Sequence, residues 1–96
     1  MSGMELLNNY KQQIKLLGES NGISNIRIFG SVIRSEERPD SDIDLLVEVD
    51  KNRTLFDLIR FKYSVEDLLG REVDVISDRA VHHSLKTEII EKAIPL

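Results

Sequence analysis

Apolar residues recur at three-and-four spacing at Leu7, Tyr10, Ile14 and Leu17, which predicts an amphipathic helix near the N-terminus with Ser2 as its cap. Gly18 or Gly22 ends it, and Asn25 lies in the turn beyond. The pattern then changes to alternation. Over residues 26–29, Ile26 and Ile28 face one way and Arg27 and Phe29 the other, which predicts a first strand. Ser31 is a natural N-cap for a short helical turn over residues 32–36, and Arg38, Pro39, Asp40 and Ser41 form a turn. A second strand covers residues 42–49, apolar through Leu45, Leu46 and Val47. Thr54 to Asp57 reads as a capping box with Asp in place of Glu, opening a helix that runs to about Leu69. Its inner stripe is Leu55, Leu58, Ile59, Val65 and Leu69, interrupted by Lys62, with Gly70 as C-terminal cap. A short third strand covers residues 72–76, with Val73 and Val75 on one face and Asp74 on the other. Ser84 caps a final helix with Leu85, Ile89, Ile90 and Ala93 inward, and Pro95 stops it.

The element order is therefore α-β-α-β-α-β-α, the second helix being short. The second strand, the long helix and the third strand make a βαβ unit, whose strands run parallel with a right-handed crossover. The short link between the first two strands makes that pair antiparallel. The fold class is α/β in the α+β sense: a small three-stranded mixed sheet in order 1-2-3 with helices packed on it. In that layout Asp74 stands beside the Asp42 and Asp44 pair.

Composition narrows the function classes. The chain of 96 residues is expected to form a single domain over residues 1–96, too small for a catalytic domain plus a separate binding domain. It has no cysteine, so neither disulfides nor thiolate-bound zinc contribute. No run reaches transmembrane length and the N-terminus lacks a signal layout, so no membrane association and a cytoplasmic location are expected. A formal net charge of −4 argues against stable binding along a nucleic-acid backbone, though not against holding one nucleotide in a local basic pocket.

The chemistry concentrates in the stretch from Ile26 to Glu48 and in Asp74. Asp42 and Asp44 project from the same face of a strand that continues as the apolar Leu45, Leu46 and Val47. Two carboxylates there repel each other and are costly to desolvate unless a cation sits between them. Nucleotidyl transfer needs hard divalent cations on oxygen ligands, and a D-x-D pair plus one more aspartate supplies them. Gly30 lets backbone approach a phosphate, and the N–H groups following Ser31 at a helix start point towards an anion. Arg34, one turn on, reaches an outer phosphate or the leaving pyrophosphate. Asp74 is the candidate general base for an acceptor hydroxyl.

Plainer explanations compete at each position. A solvated turn explains Asp42, which follows Asp40 and Ser41, but explains Asp44 poorly, because Asp44 sits between Ile43 and Leu45 inside the strand. A Gly-Ser turn with a helix cap is common, and Asp74 taken alone is one polar residue of an alternating strand. Arg34 pairs equally well with Glu36 or Glu37, and Arg38 and Arg71 read as surface charges. His82 and His83 are adjacent, point in different directions and make a poor metal pair. Leu6, Tyr10, Phe56 and Tyr63 are candidates for a partner surface, although single exposed apolar residues are normal.

Gly30-Ser31 followed by Asp42 and Asp44, the S-D-I-D-L-L-V run and the later V-D-V resemble the minimal nucleotidyltransferases of the DNA polymerase β superfamily. More narrowly, nearly the whole chain is similar to the stand-alone MNT-domain proteins of the MntA type, antitoxins of HEPN-domain toxins. The resemblance implies that Asp42, Asp44 and Asp74 form the catalytic triad and bind magnesium, with two ions expected. It implies that Gly30, Ser31 and Ser41 contact the ATP phosphates and that Arg34 matches an arginine common in the motif. It further implies transfer of AMP from ATP to a tyrosine hydroxyl of a HEPN ribonuclease toxin in a heteromeric complex. Two positions depart from the usual G-S-x-A-R-G form, Ile33 standing for Ala and Ser35 for Gly, which bears on substrate fit more than on the ligands. The rival reading is a non-catalytic antitoxin that silences its HEPN partner by occluding it. Transfer to a small molecule such as an aminoglycoside would need a second domain.

Overall fold

The computed structural model describes residues 3–29, 43–79 and 93–96. The N-terminal apolar pattern forms two helices, α1 (Gly3–Asn9) and α2 (Lys11–Ser20). They meet at Tyr10, yet the backbone bonds Tyr10 N–H to Leu6 O (3.0 Å) and Ile14 N–H to Tyr10 O (2.9 Å) carry the ladder across the joint. Leu7 and Ile14 therefore stay on one face and are fully buried. Gly18 does not end the helix. The end comes at Asn21 and Gly22, where Asn21 is buried and its amide donates to Leu17 O at 2.8 Å. Gly22 follows at φ 68°, a left-handed conformation that an L side chain adopts only with strain.

Strand β1 (Ile23–Phe29) starts before the alternation becomes visible in the sequence. The reason is a bulge. Ser24 pairs with Glu48 and Arg27 with Leu46, so β1 carries one extra residue there. Asn25 absorbs it at φ 47° and donates a side-chain bond to Glu48 Oε1 at 3.1 Å. The extra residue puts both Ile23 and Ile26 into the core despite their odd spacing.

Strand β2 (Ile43–Val49) runs antiparallel to β1 and parallel to β3 (Val73–Ser77), as the link lengths require. The sequence predicts three strands, whereas the sheet of the described residues has four, in the order β3-β2-β1-β4. The added strand β4 (Ile94–Pro95) pairs antiparallel with Ile28 and Arg27. Pro95 is thus an edge-strand residue and not the stop of a helix that includes Ala93. Leu96 N–H donates to Ile26 O at 2.9 Å. Successive N–H groups alternate sides, so the nitrogen of Pro95 falls on the outer edge, where its missing hydrogen costs nothing. The short turn over residues 32–36 and the helix opened by Ser84 lie outside the described residues.

Ile28, Leu45 and Val75 share one rung of the sheet, and Ile43 and Val73 share another. That face, with Leu7, Ile14, Phe61, Val65 and Leu69, makes the core. Leu46 points to the other face and is also fully buried, so β2 is covered on both sides.

Helix α3 (Leu55–Leu69) is turned differently from the sequence expectation. Leu55 and Ile59 are 68% and 39% exposed, while Phe61, Val65 and Leu69 face the core with Leu58 and Leu68 beside them. Phe61 carries the largest buried ring on the helix, and seating it rotates Ile59 outward. Phe56 and Tyr63 are exposed, as expected of a partner surface, whereas Leu6 and Tyr10 pack against the core. Among the described residues no helix is long and apolar enough to cross a membrane.

The start of α3 is closed by Asp57. Its carboxylate accepts Thr54 N–H at 3.0 Å and lies 3.5 Å and 3.1 Å from the guanidinium groups of Arg53 and Arg60. The Thr54 backbone bond first, then the two arginines, hold the Asp57 carboxyl below its ordinary value of 3.8. A lowered folded-state pKa means that this stabilisation is complete above about pH 3.8 and disappears as the pH falls through the folded value. Asp57→Asn is therefore expected to be less stable than the native chain at neutral pH, with the difference closing below pH 3.8 in urea unfolding.

Gly18 gives a second test. A Cβ there would lie 2.9 Å from the backbone oxygen of Ile23. Alanine gains about 1 kcal/mol of helix propensity over glycine, but overpacking against backbone costs roughly 1–3 kcal/mol. Gly18→Ala is expected to lower the thermal midpoint, because the carbonyl it meets is fixed by the sheet.

Candidate active site

At its entry into the sheet β2 places Asp44 between the buried Ile43 and Leu45. Asp44 is the register partner of Phe29 on β1 and of Asp74 on β3. Cross-strand partners share a face, so both carboxylates project from the side opposite Leu45 and Val75. Asp44 is half-buried and Asp74 is exposed. The sequence expectation that Asp74 stands beside the D-x-D motif is met at Asp44. Gly30, Ser31, Arg34, Ser41 and Asp42 lie outside the described residues.

Adjacent parallel strands lie about 4.8 Å apart, so directly opposed side chains of like charge meet at close range. This geometry suits a hard divalent cation, which takes carboxylate oxygens from more than one strand. Among the described residues no group of three acids or histidines gathers. The two acids in register supply part of a donor set for such an ion.

Beside Asp74 a cleft of about 530 Å³ opens between the C-terminal half of α3 and the start of β3. Lys62, Tyr63, Glu66 and Arg71 contribute to its walls, and Asp74 lies at its edge. It offers room for part of a substrate next to the carboxylate.

Two side chains near the acids, Arg27 and Glu66, had no functional role in the sequence reading. Arg27 shares a rung with Leu46 and Ile76, two residues along the same face from the acids. Its guanidinium donates to Asn25 O at 3.1 Å and approaches Asp78 at 3.8 Å, bridging β1 to the end of β3. Its place opposite Ile26 and Ile28 was visible in the alternation, but its partner on another strand was not. Glu66 lies on α3, and nothing in the local pattern sets it apart from the other charged residues of that helix. Its carboxylate accepts the backbone N–H of Val73 at 2.9 Å.

If the opposed acids repel without a cation, removing one charge should stabilise the metal-free protein. Asp74→Asn is expected to gain about 0.2–1 kcal/mol in EDTA, the scale of cross-strand pairs, read from urea unfolding. Added magnesium should stabilise the native chain more than the variant.

The profile of the nucleotidyltransferase domain family matches residues 10–96. A candidate protein adenylyltransferase of Methanocaldococcus jannaschii is 40% identical, over 92% of this chain and 95% of that protein. The protein adenylyltransferase MntA of Thermococcus cleftensis is 30% identical, over 83% of this chain and 81% of that protein. The structure of a candidate minimal nucleotidyltransferase superposes with a TM-score of 0.89 at 41% identity, covering 100% of this chain and 97% of the other. A chain from a toxin–antitoxin crystal structure with AMP-PNP shares the fold, with a TM-score of 0.74 at 20% identity, over 88% of this chain and 70% of that one. With the paired acids at the mouth of β2 and this span of similarity, the chain belongs to the nucleotidyltransferase domain family, as a minimal member of the MntA type.

Proposed function

We propose that the chain is a magnesium-dependent antitoxin that transfers AMP from ATP to a tyrosine hydroxyl of a cognate HEPN ribonuclease toxin in the cytoplasm, and so silences it. The observation that carries the reading is the shared rung of Asp44 and Asp74, two acids in register on parallel strands. A surface role does not call for that placement, because like charges directly opposite cost stability.

In this reading Asp42 and Asp44 hold the cation together with Asp74. Bound there, magnesium would neutralise the phosphate oxygens of ATP and favour attack at the α-phosphorus. Gly30, Ser31, Arg34 and Ser41 would hold the phosphates. The tyrosine oxygen bonds to the α-phosphorus, the bond to the pyrophosphate oxygen breaks, and Asp74 takes the hydroxyl proton. The cleft beside Asp74 leaves the carboxylate open to an acceptor from outside. Phe56 and Tyr63, exposed on α3, supply apolar contact for the partner that carries it. The relatives from Methanocaldococcus and Thermococcus, described as protein adenylyltransferases, support a protein acceptor.

The test uses the product of the neighbouring gene, ATP and magnesium, with intact-mass measurement. The partner is expected to gain the mass of AMP and lose its ribonuclease activity. Asp74→Ala is expected to slow the transfer by about 10²–10⁴-fold, the usual loss on removing a general base. Neutralisation without a mass gain, equally good with Asp42→Ala and Asp44→Ala together, would establish the occluding binder instead.

A further inference from the structure

We infer that Glu66 is a positioning residue for Asp74: it clamps the open edge of β3 and so keeps that aspartate level with Asp44. The inference rests on the reading of these two acids as cation ligands.

β3 is an edge strand of the described sheet. The two ends of its pairing with β2 show which of its peptide groups are used. Ile43 N–H donates to Glu72 O at 3.1 Å, and Asp78 N–H donates to Val47 O at 2.9 Å. In a parallel pair alternate residues of a strand bond to the same neighbour. The even-numbered residues of β3 therefore turn towards β2, and the N–H of Val73 turns to the open edge.

That N–H is met by Glu66 Oε2 at 2.9 Å. A carboxylate accepting a backbone N–H makes one of the stronger protein hydrogen bonds. The Glu66 side chain is only 19% exposed, and Lys62 lies 3.9 Å from the same oxygen, one helical turn back. The backbone oxygen of Glu66 also accepts Gly70 N–H at 2.8 Å, closing the helix. One residue thus ties the end of α3 to the first residue of β3.

The consequence falls on the next residue, Asp74. Val73 is buried in the core, which decides the face on which Asp74 stands. Burial of Val73 does not oppose an outward splay of the strand start, which is the direction in which the Asp44 carboxylate pushes. Glu66 pulls from the outer side and opposes that splay. An ordinary surface pair with Lys62 would account for the charge of Glu66 but not for its bond to Val73.

The variants Glu66→Ala, Glu66→Asp and Glu66→Gln separate the possibilities. Aspartate keeps the charge but falls one methylene short, whereas glutamine keeps an acceptor oxygen and loses the charge. Two readouts are made on the whole chain without any partner: amide hydrogen exchange at Val73, and affinity for Mn²⁺ alone by calorimetry. Glu66→Ala and Glu66→Asp are expected to exchange faster at Val73 than the native chain, with β2 amides unchanged. Both are expected to bind Mn²⁺ roughly 10–100-fold more weakly, the usual loss when a group that orients metal ligands is removed. Glu66→Gln is expected to restore both. If alanine prevents folding, the aspartate and glutamine variants carry the comparison. Unchanged Mn²⁺ affinity in Glu66→Asp, or weakened affinity in Glu66→Gln, overturns the assignment. A native chain that binds no Mn²⁺ overturns the cation reading itself, and with it the site that Glu66 serves.

Discussion

Asp44 and Asp74 are held opposite each other on neighbouring parallel strands, and like charges directly opposite each other cost stability. Most of what surrounds them works against that repulsion. β2 is buried on both faces, Leu45 and Val47 in the core and Leu46 on the side of the acids, so it cannot shift to relieve the charge. A slip of one residue would bring Asp44 into the core and Leu45 out of it. The apolar content of β2 fixes where Asp44 stands, and the core around Val73 fixes the face of Asp74.

The remaining ties sit at the edges, where strands otherwise fray. On one side Glu66 holds Val73, and at the far end of β3 Arg27 reaches Asp78 across the sheet. On the other side β4 covers part of β1 and brings Leu96 into the core. The Gly22 carbonyl accepts Asp50 N–H at 2.9 Å, joining the end of α2 to the end of β2. Each tie links segments far apart in the chain, so the positions of the acids depend on the whole sheet.

The same logic sets the outward face of the molecule. Phe61 enters the core, and its seat turns Ile59 to the outside alongside Leu55, Phe56 and Tyr63. Tyr63 also lines the cleft beside Asp74. The packing demand of one aromatic residue thereby decides which apolar side chains α3 leaves exposed.

The sequence by itself determined three of the four described strands, the βαβ unit, the antiparallel β1–β2 and parallel β2–β3 pairings, and the face on which Asp44 and Asp74 stand. These follow from spacing within a few residues and from the length of a connection, both of which act locally. Tertiary structure decided what depends on a distant partner. The bulge at Asn25 hides the start of β1 because its extra residue breaks the alternation. Pro95 reads locally as a helix stop, and only pairing with Arg27 makes it a strand residue. The rotation of α3 depends on the space that the core leaves for Phe61. Glu66 looks like any helix-surface acid until α3 and β3 are packed side by side. The two acids were written in the pattern of the chain; the register that opposes them, and the bond from Glu66 to Val73 at the edge of the sheet, come from contacts that no local pattern encodes.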